Sequence, residues 1–185
     1  MDDICNGHDI TERRNSELGM GVLASAGGNN KNGFGDIGRA AQIGLDSTSA
    51  LIVQTEDVQQ TPSVLAYWHH DTGFNEQPLL SGLLDFIAAL ENSYTVVSSD
   101  THPASKHFLT NFQSHMCIVH RVLDKAATNQ IWILASYNRE TEASPAKQAF
   151  IHLVSRRTAI EIHRIQAENA LAIARDDALR ASRAQ

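Results

Sequence analysis

Two hydrophobic rhythms alternate along this chain. Between Asp36 and Asp46, apolar side chains recur at helical spacing (Ile37, Ala40, Ala41, Leu45), and the next segment, 48–55 (TSALIVQT), is a β-type run. QQTP then reads as a turn, and Ser63 to His70 (SVLAYWHH) reads as a second strand closed by Asp71, Thr72 and Gly73, so the two runs are expected to pair as a hairpin. Pro78 opens PLLSGLLDFIAALENS, whose Leu and Ile positions form a broad apolar stripe and predict a packed helix with proline at its start. Residues 94–113 predict a short extended piece, a turn at Asp100, His102 and Pro103, and a short helix near 104–112. Met116 to Leu123 and Gln130 to Tyr137 predict two further strands joined by a polar connection of hairpin length.

From Ser144 and Pro145 onward the pattern changes again. Residues 146–185 contain no Gly or Pro and are rich in Ala, Arg, Glu and Leu, which predicts one unbroken helix. Forty helical residues span about 60 Å at 1.5 Å each, more than a domain of this size is wide, so the helix is expected to leave the domain. A heptad reading puts Thr158, Ile165, Ala172 and Leu179 at one seam position and Ile162, Asn169, Asp176 and Arg183 at the other. That seam is apolar at one end and mixed beyond it, and its Asn169 is the kind of residue that fixes register in a parallel pair at some cost in stability. The expectation is a marginal parallel homodimer through this helix, against the plainer alternative of a solvated helix.

Before Asp36 the chain is polar and without period, and SAGGNNKNGFG (25–35) has the composition of a loop. The predicted organisation is therefore a flexible leader (1–35), one domain (36–165) and an exiting helix (166–185). A length of 185 residues with 42% hydrophobic positions is enough for one ordinary core. No apolar run reaches the roughly 20 residues of a membrane span and the first residues lack a signal-peptide core, so a cytoplasmic location is expected, without a membrane partner. Residues 1–145 carry eight Lys/Arg against seventeen Asp/Glu, and 146–185 carry seven against four. The acidic domain argues against a nucleic-acid partner, and the basic helix reads as a solvated face with interspersed charges.

Candidate chemistry is sparse. Nothing matches a nucleophile elbow, a Walker loop or an ordered dinucleotide fingerprint, so no catalytic residue and no enzymatic activity are expected. Cys5 and Cys117 lie in unlike surroundings and do not form a disulfide framework, and Cys117, within MCIVHRVL, reads as a buried structural thiol. His69 and His70 are adjacent, which on a strand sends them to opposite faces and away from a shared metal ion. His102, His107, His115 and His120 are scattered, so a haem or other metal site would need them to converge through tertiary folding; none is expected.

The order of elements, together with SALIVQTED, TVVSSDTHPASKHFL and SHMCIVHRVLDKAATNQIWILASYNRETEASPAKQAFIHLVSRRTAIEI, resembles a GAF domain over about residues 36–165. One departure is Val119-His120-Arg121-Val122, where many members carry a Val-Pro-Leu string. The tail AENALAIARDDALRASRAQ is similar to the connecting helix of bacterial, including hybrid, sensor histidine kinases. The resemblance implies an α+β fold (α/β/α layers): an antiparallel sheet with flanking helices and a long C-terminal signalling helix. It further implies a small-molecule pocket between the sheet and a lid, and a covalently attached kinase in two-component signal transduction. Phytochrome-related members attach a bilin through a cysteine beside a histidine on a helical segment; Cys117 sits in a strand-like run instead, so no bilin is expected. Alternation along the strands groups Tyr67 with His69, Trp68 with His70, Ile118 with His120 and Val119 with Arg121, and leaves open which face is the pocket. Trp68, Trp132 or Tyr137 are its candidate walls, with Tyr67 beside them, and His70, His120 or Arg121 its candidate polar contacts for a hydrophobic or aromatic signal molecule. Two alternatives remain open: a ligand-free dimerisation or interaction module, and the input domain of a cyclic-di-nucleotide synthase or transcription activator.

Overall fold

The computed structural model describes residues 3–26, 33–56, 61–71, 80–123 and 129–185, with side chains from residue 10 onward. Five antiparallel strands form one sheet in the order β2-β1-β5-β4-β3, built from β1 (Ser49–Thr55), β2 (Ser63–His69), β3 (Tyr94–Ser98), β4 (Met116–Val122) and β5 (Gln130–Tyr137). The two expected hairpin pairings are present, Leu51 opposite Tyr67 and Ile118 opposite Ala135. A bulge between Ile52 and Val53 interrupts the first. The predicted turn at Thr72 and Gly73, the start of the helix at Pro78 and Leu79, and most of the β4–β5 connection lie outside the described residues.

Helices cover both sides of the sheet. On one side α2 (Gly33–Leu45) and the first half of α5 (Pro145–Arg183) bury Ile37, Ala41, Leu45, Phe150, Ile151 and Val154 against Ala50, Ile52, Ile118 and Ile133. On the other, α3 (Leu83–Ala88) and α4 (Pro103–Asn111) bury Leu83, Phe86, Phe108 and Leu109 against Leu51, Val53, Val119 and Leu134. Strand period two divides the sheet's side chains between these cores. The start of α5 follows from its sequence: the Ser144 hydroxyl accepts from the Lys147 amide at 3.2 Å, and Pro145 occupies the first turn, where no amide hydrogen is needed.

Two elements differ from expectation. The segment read as a structureless leader contains a 23-residue helix, α1 (Asp3–Ser25), docked on α2. Its inward positions are Glu12, Asn15, Ser16, Gly19, Val22 and Leu23, followed by the buried Ala26 just past its end; they recur at helical spacing but are mostly small or polar, so they show no apolar periodicity. Gly19 permits the approach: a Cβ there would stand 2.6 Å from the Gly44 Cα and 2.7 Å from the Phe150 ring. The helix expected across 78–93 is reduced to the six residues of α3. Gly82 precedes it with φ of 82°, a left-handed conformation that stops a helix from extending through it.

Candidate functional site

The residues singled out from the sequence do not converge on one pocket, because neighbours along a strand point to opposite faces. Tyr67, Arg121 and Trp132 stand on the α3/α4 face. Trp68, His120 and Tyr137 stand on the α2/α5 face, and His70 lies just past the end of β2. Tyr137 is a structural tie: it is buried, and its hydroxyl donates to the Leu45 carbonyl oxygen at 2.8 Å, joining β5 to the end of α2, while it also lines, with His70, a cleft of about 180 Å³. The Arg39 guanidinium covers the Trp68 ring at 5.5 Å.

His120 is buried and faces α5, with its Nε2 3.0 Å from His152 Nδ1. Burial, reinforced by the repulsion of His152, holds its pKa down at about 4, so it is neutral at physiological pH. It joins β4 to the exiting helix, in a place sequence reasoning assigned to ligand contact.

On the α3/α4 face an aromatic series closes much of the space. Phe86 stacks on Phe108 at 4.7 Å, Phe108 on Phe112 at 5.2 Å, and Phe112 meets Tyr67 edge-on at 6.1 Å. Beside it, Arg121 and Trp132 are direct cross-strand partners, with the guanidinium 5.9 Å from the indole centroid. Trp132 is 3% exposed, yet its indole N–H has no hydrogen-bond partner among the described residues. A buried indole normally finds an acceptor, so this corner offers a donor unpartnered among the described residues next to a cation. Cys117 lies on the same face, fully buried, and burial pushes its thiol far above the usual range. It is held as a neutral thiol without access to a reagent.

The helix α5 is placed differently from the seam reading at one end. Thr158 and Ile162 are inside the domain's own core, so no partner chain can reach them. The seam is available only from Ile165, which is half-buried in a cleft of about 280 Å³ with Phe34, Leu65 and Ile131, through the exposed Asn169, Ala172 and Leu179. From residue 166 to 185 every position is exposed. A second cleft, of about 410 Å³, lies between α1, the end of α2 and the loop before α5, with Glu12, Arg139 and Lys147 in its lining. Among the described residues no helix is long and apolar enough to cross a membrane.

No family model matches the sequence, and no curated protein matches it at a significant level. The arrangement of strands and helices, however, superposes on solved structures. The phycocyanobilin-bound GAF domain of a cyanobacterial phytochrome aligns over 85% of this chain and 96% of its own, with a TM-score of 0.59 at 9% identity. The fold is that of a GAF domain. A GAF domain from a phosphoenolpyruvate-protein phosphotransferase of Coxiella burnetii covers 87% of this chain and 98% of its own, with a TM-score of 0.60 at 13% identity. One ascribed to a sensor histidine kinase of Pseudomonas syringae pv. tomato covers 90% and 96%, with a TM-score of 0.53 at 7% identity. Identities this low make the likeness one of fold, so ligand and output have to be argued from this chain's own residues.

Proposed function

We propose that this GAF-fold chain is a non-catalytic sensory input domain of the cytoplasm. It takes a small aromatic or hydrophobic molecule bearing a hydrogen-bond acceptor at the Arg121–Trp132 corner, and passes the signal along α5 to an attached histidine kinase in two-component signalling. The observation that carries this reading is α5 itself, a single 39-residue helix with one half packed on the sheet and the other exposed from residue 166 onward. A rigid element spanning both surroundings transmits a change in packing at one end as a rotation or shift at the other. The unpartnered Trp132 N–H supports the ligand assignment, because an incoming carbonyl or carboxylate would relieve a buried unsatisfied donor while the Arg121 charge assisted it. A second copy of the chain pairs, on this reading, along Ile165, Asn169, Ala172 and Leu179.

The test is a thermal-shift screen of the full chain against aromatic carboxylates and amides, repeated on Trp132→Phe, which keeps an aromatic side chain, though a smaller one, and removes the donor. The expected result is a shift with one compound class and an affinity lower by about three- to tenfold in the variant, the size of one lost hydrogen bond. A variant that binds the same compound equally well removes Trp132 from the site. A second reading is supported by the aromatic series Phe86–Phe108–Phe112–Tyr67: with side chains in the place of a ligand, the domain would serve as an interaction module. A dimer insensitive to every compound, from which denaturation releases no small molecule, would establish that reading instead.

A further inference from the structure

Adjacent histidines on a strand diverge, but His69 and His70 do not, because the β1–β2 ladder ends at the Ser49–His69 pair and His70 lies beyond it. The two rings lie 4.9 Å apart with 34° between their planes. The hydrogen bonds around them fix which nitrogens carry protons. A carbonyl oxygen only accepts, so the 3.2 Å contact of His70 Nδ1 with the Thr48 carbonyl makes Nδ1 the donor. The Asp71 amide donates to His69 Nδ1 at 3.2 Å, so that nitrogen is unprotonated. His70 Nε2 is left facing the Asp71 carboxylate, with Oδ1 at 2.9 Å. A neutral His70 would therefore set a lone pair against a carboxylate, and His69 Nδ1 can add a third donor atom to an ion by giving up its contact with the Asp71 amide. One ligand-type atom from each of the three residues lies within 4.8 Å of the others, the only such group of three among the described residues.

Two acceptors facing each other, with a third, a ring nitrogen of His69, within reach, call for a cation. We propose that His69, His70 and Asp71 form a site for a borderline divalent ion of the zinc or nickel kind, independent of any ligand on the α3/α4 face. Two imidazoles and one carboxylate suit such ions and not calcium or magnesium, which take oxygen ligands. The Nε2–Oδ1 separation of 2.9 Å subtends roughly a right angle at an ion about 2.1 Å from each atom, the octahedral angle of nickel, and opening it by about 0.5 Å reaches the tetrahedral angle of zinc. The Thr48 carbonyl, accepting from the far nitrogen of His70, is the outer partner that orients a metal-binding imidazole. His70 and Asp71 are both exposed, so an ion and its remaining waters have room to enter.

The competing arrangement is a doubly protonated His70 paired with Asp71, and calorimetric titration of the full chain with zinc chloride near neutral pH separates the two. Expected is saturable binding of one equivalent, weakened at least about tenfold in His70→Gln and in Asp71→Asn, since losing even an outer-shell partner costs ten- to hundredfold. Both variants change exposed side chains, and their metal-free melting temperatures confirm that they fold. Absence of saturable binding below about 1 mM would overturn the proposal. So would binding left unchanged by both substitutions, which would place the ion on other histidines or cysteines.

Discussion

Glu161 is the residue with which α5 lies against the start of α2, held there by Arg164 one turn further along its own helix, and replacing it with Gln tests how much that arrangement contributes. Its side chain is 2% exposed. The Arg164 guanidinium grips it twice, Nη2 to Oε1 at 2.6 Å and Nε to Oε2 at 3.1 Å. A Cβ added to Gly33, the first residue of α2, would stand 2.1 Å from Oε1, so the carboxylate lies directly on that helix's N-terminal end, where negative charge is favoured. Removing one partner of a buried ion pair costs about 3–5 kcal/mol, but Arg164 is a third exposed and water takes up part of its charge. About 2 kcal/mol is therefore expected for Glu161→Gln, the scale of a charged hydrogen bond, which lowers Tm by roughly 4–8 °C in a chain of this length. The hydrogen bond from Arg164 holds the Glu161 pKa below its usual 4.5, so its contribution is present above that value and is lost as pH falls through the folded-state pKa. Denaturant unfolding of the wild type and of Glu161→Gln from pH 7 downward should show a gap that is constant at neutral pH and narrows below about 4.5. A variant as stable as the wild type, or a gap that does not narrow in acid, would refute the assignment.

Two shorter tests address buried groups. His120 has a pKa of about 4 against 6.5 for a free histidine, so the unfolded chain binds the extra proton between those values and stability is lost as pH is lowered across that window; NMR titration should find His120 neutral at pH 6, with loss of up to about 3 kcal/mol on reaching pH 4, and a normal histidine titration would contradict its burial. Cys117 should resist alkylation by iodoacetamide in the folded chain and react once denaturant is added, as read by peptide mass mapping, whereas modification under native conditions would show that the α3/α4 face opens.

The sequence was most informative where one physical cause dominates. The strands announced themselves through β-branched runs, and α5 through Ser144, Pro145 and forty residues free of Gly and Pro, because burial and capping act locally there. Helix α1 was not legible: what holds it is a close approach of Gly19 to Gly44 and polar contacts such as that of Glu12 with the Ser144 hydroxyl, both set by a partner distant in the chain. Strand alternation correctly separated Tyr67 from Trp68 and His120 from Arg121, but the choice of face depends on which helices cover it. The same rule failed for His69 and His70, because the last residue of a ladder is fixed by pairing and not by composition.

Within the proposed function, the register of β4 and β5 determines where a molecule on the α3/α4 face would be felt. Arg121 is paired with Trp132, and the next pair along the two strands is His120 with Ile133. The first pair faces the candidate ligand, while the second faces α5, where His120 meets His152 and Ile133 packs in the same core as Val154. A shift of the Arg121–Trp132 pair therefore moves its neighbours against α5 without any intervening element, since interiors packed at crystal-like density do not absorb such displacements. Helix α5 is in turn held at Glu161 by α2, one helical turn before Ile165 begins to emerge from the domain. A push near residue 152 against an anchor near residue 161 is the geometry of a lever, and its free arm is the exposed half of the helix. The stiffness of that anchor, where Glu161, held by Arg164 of the same helix, lies against the start of α2, sets how much of the displacement reaches the far end.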